Sequence, residues 1–168
     1  MTGNHPHRHG APRNGFVLSE NNEMLAEVLA GAGFDTAGFV AADPLTVKVG
    51  FDQGFEFYDE DFGEDDDGKR HNWRRGQVVN DSLFDWLSTW EGANDDKRLF
   101  LFVHYFDVHA PFRPPRELRE KYGFDQELGE IGTLSYVRET RRICTQQRPE
   151  AAERDRLLRM LYKGEVTY

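Results

Sequence analysis

One cysteine, Cys144, is the only thiol among the 168 residues, so no disulfide can close within the chain. It sits in an arginine-rich polar stretch with no second thiol and no base beside it, which makes it a bystander. No run approaches the roughly 20 apolar residues a membrane span needs. The opening MTGNHPHRHG has neither the charged start nor the apolar middle of a signal peptide, so these residues give no cellular address. Positive charge is scarce as well. Against 30 Asp and Glu stand 21 Lys and Arg, a formal net charge of -9, which argues against a nucleic-acid binder that tracks phosphates. A P-loop, a GxSxG elbow, a GxGxxG turn and a CxxC pair are all missing, so the common nucleotide, serine-hydrolase and zinc readings lack support.

The acidic excess is local. Asp52, Glu56, Asp59, Glu60, Asp61 and the run Glu64 to Asp67 fall in one stretch without a base, and self-repulsion is expected to keep much of it extended and wet. A calcium loop would need a closing Glu at its twelfth position. Counting from Asp59, that position is Arg70, so a solvated loop is the better reading. The alternating His5, His7 and His9 lack a fourth ligand at a defined spacing, and Arg8 and Arg13 could either meet an anion or simply solvate.

With 38% hydrophobic residues the chain can build a core. Residues 1 to 19 read as a loop. Leu25, Val28, Leu29 and Ala32 then make a helical stripe, with Asn21 or Asn22 as the expected cap and Gly33 as the stop. Phe34 to Ala41 reads as a strand. A second helix carries Val79, Leu83, Trp86, Leu87 and Trp90 and ends at the turn GANDDK, residues 92–97. Leu99 to Phe106, LFLFVHYF, has almost no polar alternation, the mark of a parallel strand covered on both faces. Pro114 and Pro115 open a helical turn through Tyr122, residues 123–148 are mixed, and a last helix from Pro149 carries Leu157, Leu158 and Leu161. Helix alternating with strand predicts an α/β class: a partial parallel sheet flanked by helices, with only two convincing strands and therefore part of a larger sheet.

Ligands of open α/β sheets bind beyond the carboxyl ends of the strands, which singles out Asp107, Val108 and His109. His109 could hydrogen-bond an anionic substrate oxygen or protonate a leaving group. Equally, it could be a histidine bonded to backbone at a strand end. His104, inside the apolar run, reads as a satisfied core histidine.

Five pieces stand in a fixed order: Thr2-Gly3, Pro6 and His9-Gly10; MLAEVLAGAGFDTAGFV; GFDQGFEFYD; LFLFVHYFDVHAPFRPP; and YKGEVTY. The first resembles the T-G-x-x-P-x-x-H-G segment that closes the sulfatase signature, and the order of the rest is similar to that of sulfatases. The resemblance implies an alkaline-phosphatase-like sulfatase fold of which residues 1–168 are part of a single catalytic domain, truncated at both ends. It also implies cleavage of sulfate esters by a formylglycine made from Cys or Ser, with a calcium ion alongside. His109 is similar to the family's substrate-contacting histidine and is the one site residue carried over. The nucleophile is expected upstream of Met1 and the calcium ligands outside the chain, so no metal ligand is named and the fragment alone is expected to be inactive. Where many sulfatases have G-K-W-H, this chain has Val40 to Leu45, VAADPL, without those two contacts. The implied partner is a sulfated small molecule or glycan, with no nucleic acid, and family members are commonly exported. Two other readings are a phosphoesterase or phosphoryl transferase of the same superfamily and a non-catalytic truncated product.

Overall fold

The computed structural model describes residues 1–91 and 98–168, so the expected turn at residues 92–97 lies outside the described residues. The chain forms two compact units, Met1–Phe106 and Asp107–Tyr168. In chain order the elements are α1 (Pro6–His9), α2 (Leu25–Gly31), β1 (Phe34–Phe39), β2 (Phe57–Asp59), α3 (Gly76–Glu91), β3 (Arg98–Val103), α4 (Arg116–Lys121), α5 (Leu134–Thr145) and α6 (Ala151–Thr167).

The first unit is built on β1. Its residues after Phe34 are all buried, and it is the middle strand of a parallel sheet ordered β2-β1-β3. Phe34 to Phe39 pair in register with Arg98 to Val103 on one side, and Ala37 to Phe39 with Phe57 to Asp59 on the other. Successive side chains alternate between the sheet's two faces. On one face, Ala37 and Phe39 pack with Val79 and Leu83 of α3, and Leu101, Val103 and Trp86 complete the cluster. Trp86 meets both Phe39 and Phe57, with ring centroids 5.8 and 5.3 Å away. Phe100 and Phe102 cover the other face with Phe55, Phe51 and Tyr58. Gly38 belongs to that second face. A Cβ there would lie 2.6 Å from the Tyr58 ring, so only glycine admits the tyrosine.

Three expectations change. β2 is a third strand inside the stretch expected to be extended and wet. It is too short, and too mixed with acids, to show as an apolar run. The carboxylates here are largely engaged: Asp59, Asp61 and Asp65 accept backbone N–H groups two residues on, and Glu60 accepts the N–H of Val47. Glu56, Phe57, Asp61 and residues 63–69 are exposed as expected. Neither Asn21 nor Asn22 caps α2. Met24 occupies the cap position with its N–H held by Glu27 Oε2 at 2.7 Å, while Asn22 Nδ2 donates to His9 O and Ser19 O. Residues 1–19 contain the single helical turn α1, which buries nothing.

The second unit is helical, with α6 packed against α4 and α5. Phe124, Ile143 and Leu161 are its buried apolar residues. α5 emerges from the stretch that read as mixed because its inward side is narrow and partly polar, formed by Tyr136, Thr140 and Ile143. Among the described residues, no helix is long and apolar enough to cross a membrane.

Candidate active site

Past the carboxyl ends of β1 and β2 the chain buries an arginine. Arg74 is 4% exposed, and its backbone N–H donates to Ala41 O. Its guanidinium donates to Val40 O at 3.0 Å, Asp61 O at 3.0 Å and Asp59 O at 3.2 Å, and Nη1 lies 2.9 Å from the Asp59 carboxylate. One cation therefore closes the carbonyls left open where two parallel strands stop, and the planar fork of arginine suits several acceptors at once. Arg70 repeats the device nearer the surface, reaching Asp43 and the Glu60 carbonyl while lying over the Phe62 ring. A cleft of about 540 Å³ opens beside Arg74, with Trp73, His71 and Phe62 among its walls.

At the end of β3, His104 is tied to the neighbouring strand. Its backbone N–H donates to Phe39 O at 2.9 Å, and its Nδ1 accepts from Ala41 N–H at 3.4 Å. Burial holds the imidazole below its ordinary pKa, which favours the neutral ring that can accept at Nδ1. His104 is thus bonded to backbone, as a satisfied histidine requires. Tyr105 donates its hydroxyl to Asn80 Oδ1 at 2.6 Å. Tyr58 donates its hydroxyl to Leu45 O, and burial pushes the phenol up, with Glu60 and Asp52 adding to the effect.

His109 lies in the second unit, exposed, in the turn that follows β3 in the chain. Its Nδ1 is 2.6 Å from Ala110 O. That contact is a hydrogen bond only with the proton on Nδ1, which leaves Nε2 as the ring nitrogen outside it. Asp107 is half-buried and Val108 exposed. Beyond the turn the chain is anchored twice. Phe112 N–H donates to Gly132 O at 2.9 Å, and Arg113 N–H donates to Glu165 Oε1. Gly132 has φ +89°, and a Cβ there would sit 2.5 Å from Phe112 O. Gly164 likewise lets Pro114 approach, where a Cβ would be 2.7 Å from Pro114 Cγ. The Gly-Glu pair of YKGEVTY therefore holds the segment that leaves His109.

Arg74 and Glu165 were not singled out by their sequence context. In the sequence Arg74 stands with Lys69, Arg70 and Arg75, and nothing there sets it apart from them. A buried carboxylate could have been suspected at Glu165, since it follows Gly164 and lies one turn after Leu161 on the same side of α6. His5 and His7 stack with centroids 5.8 Å apart and are exposed, while His9 Nδ1 accepts from Ala11 N–H. Cys144 is exposed. Among the described residues, no three His, Cys, Asp or Glu side chains come together in a way that could hold a metal ion.

Residues 1–160 match the sulfatase family model. The chain belongs to the sulfatase family. The match spans nearly the whole chain and includes both units, and the α/β architecture with a three-stranded parallel sheet agrees with part of a sulfatase fold. Neither a curated protein nor a solved structure matches the chain. Membership makes it a sulfatase-family hydrolase, a family that acts on sulfated substrates and generally uses a metal.

Proposed function

We propose that this chain supplies the substrate-side histidine of an enzyme that hydrolyses sulfuric esters, working within one catalytic domain that extends beyond residues 1–168. The match to the sulfatase family over residues 1–160 carries the reading. Supporting it, His109 is exposed in the turn after a parallel strand, where ligands of α/β sheets bind. The nucleophile, a formylglycine made from Cys or Ser, is assigned to sequence outside these residues, as are the calcium ligands. The 168 residues alone are therefore assigned no turnover.

The step given to this chain is a proton transfer. As a formylglycine hydroxyl bonds to sulfur and the S–O bond to the alcohol breaks, the departing oxygen takes the proton from His109 Nε2, and Nδ1–H keeps its hydrogen bond to Ala110 O to hold the ring's orientation. The neutral imidazole recovers its proton when the next nucleophilic hydroxyl is deprotonated. Arg74 and His104 touch no substrate in this scheme; they fix the strand ends.

The test is an assay of an aryl sulfate against the matching aryl phosphate, using a protein that carries this chain together with the signature Cys or Ser. Preferential sulfate release is expected. Preferential phosphate release would replace the reading with phosphoryl chemistry.

A further inference from the structure

His109 is exposed, and the contact of its Nδ1 with Ala110 O fixes the ring on its own turn, not the turn on the unit. Residues 112–114 tie that turn down. Phe112 N–H donates to Gly132 O at 2.9 Å, and the Phe112 ring meets Tyr162 of α6 edge-on with centroids 5.8 Å apart. Arg113 N–H donates to Glu165 Oε1, and Pro114 is buried against Gly164, where a Cβ would sit 2.7 Å from Pro114 Cγ. Tyr162, Gly164 and Glu165 share one turn of α6. Positions 111, 114 and 115 are proline, whose ring fixes φ, so the chain leaving His109 is stiff. A displacement at Arg113 is therefore passed back to the histidine.

Among these contacts Glu165 is the charged one, and it is 2% exposed. A carboxylate buried this far has given up its water, and packing alone is served as well or better by an apolar side chain of similar volume. Leucine would fill the same space. It would also leave Arg113 N–H without its carboxylate acceptor, and a charged acceptor makes the stronger, better-directed bond to an N–H. Packing does not call for a charge at this position; holding one backbone N–H in place does.

We propose that Glu165 is a positioning residue for His109: through Arg113 N–H it sets where the imidazole stands against the departing oxygen. This rests on the proton transfer assigned to His109 above. Glu165 itself touches no substrate and moves no proton. Without the anchor the turn shifts, and a misplacement on the order of 1 Å between acid and leaving oxygen lowers turnover by up to about a hundredfold. The proton is needed only as the S–O bond breaks, so the loss falls on kcat and spares KM.

The test is a double-mutant cycle in a protein that carries this chain together with the signature Cys or Ser, with aryl sulfate turnover and a thermal melt for each variant. Glu165→Leu lowers kcat by about ten- to a hundredfold and leaves KM within about twofold. Glu165→Gln keeps an oxygen acceptor for Arg113 N–H and retains most of the turnover. In the His109→Ala background the Leu substitution costs nothing further, because the group it positions is gone. Amide hydrogen exchange at Arg113 speeds up in Glu165→Leu and not in Glu165→Gln, a readout that needs no turnover. Should the Leu variant melt early, the cycle still decides, since turnover per folded molecule is compared between the two backgrounds. Three results would overturn the proposal: an unchanged kcat in Glu165→Leu, the same fold loss with and without His109, or slow exchange at Arg113 retained in the Leu variant. Normal turnover in His109→Ala would instead sink the proton transfer and this role with it, whereas those three sink the role of Glu165 alone.

Discussion

The two units use charge in opposite ways. In Met1–Phe106 the decisive cation is inside: Arg74 is almost wholly buried and bonds carbonyls and a carboxylate at the ends of two strands. In Asp107–Tyr168 the ion pairs are outside. Arg116 with Glu120 and Arg159 with Asp155 span single helical turns in solvent. The second unit's buried acid, Glu165, receives a backbone N–H from Arg113. A buried charge has given up its water, so its partners become indispensable, whereas an exposed pair keeps water as a ready substitute. The number of ion pairs therefore says little about what holds each unit.

Arg74→Ala sharpens the comparison most. It strands the Asp59 carboxylate and several carbonyls, and unfolding by urea should show a loss of roughly 3–5 kcal/mol. A loss under about 1 kcal/mol would mean that water replaces the guanidinium easily. Gly38→Ala comes next. The added methyl meets a Tyr58 ring pinned by its bond to Leu45 O, and about 1–3 kcal/mol should be lost.

A pH-dependent effect follows for His104. Its folded pKa is depressed, so the unfolded chain binds the extra proton more readily. The contribution of His104 is complete above the unfolded value near 6.5 and declines as pH falls toward the lower folded value. Melting curves of His104→Gln should fall less steeply with pH in that window than those of the parent. At the small end, Arg159→Ala should leave the melting temperature unchanged, since its pair with Asp155 is a surface contact. A clear drop there would break the contrast between the two units.

Much of this was legible because it is periodic. The stripe of Val79, Leu83 and Trp86 and the unbroken run from Leu99 announced α3 and β3, and Gly33, with φ +80°, stops α2 as read. What stayed hidden depends on contacts distant in sequence. β2 exists because Ala37 to Phe39 pair with Phe57 to Asp59 some twenty residues on, and Arg74 is buried because carbonyls from two separate strands converge on it. α5 was missed because its inner side carries Thr140, whose Oγ1 accepts from Arg154 Nε of α6, where a periodicity argument looks for an apolar residue. His109 was singled out by its place after a strand and by the family pattern, and its role is the one proposed above. Its tautomer, set by Ala110 O, needed three dimensions.

The account turns on the division of labour between two histidines five residues apart, one bonded into strand ends and one exposed in the following turn. Sulfate release from an aryl sulfate, measured for His109→Ala in a protein that carries the nucleophile, tests it most directly, with a thermal melt of the same sample. The account expects turnover to fall by about 10²–10⁴-fold with the melting temperature unchanged, while His104→Ala lowers the melting temperature and spares most turnover per folded molecule. Near-normal turnover in His109→Ala, together with early melting, would contradict it and make His109 a structural residue.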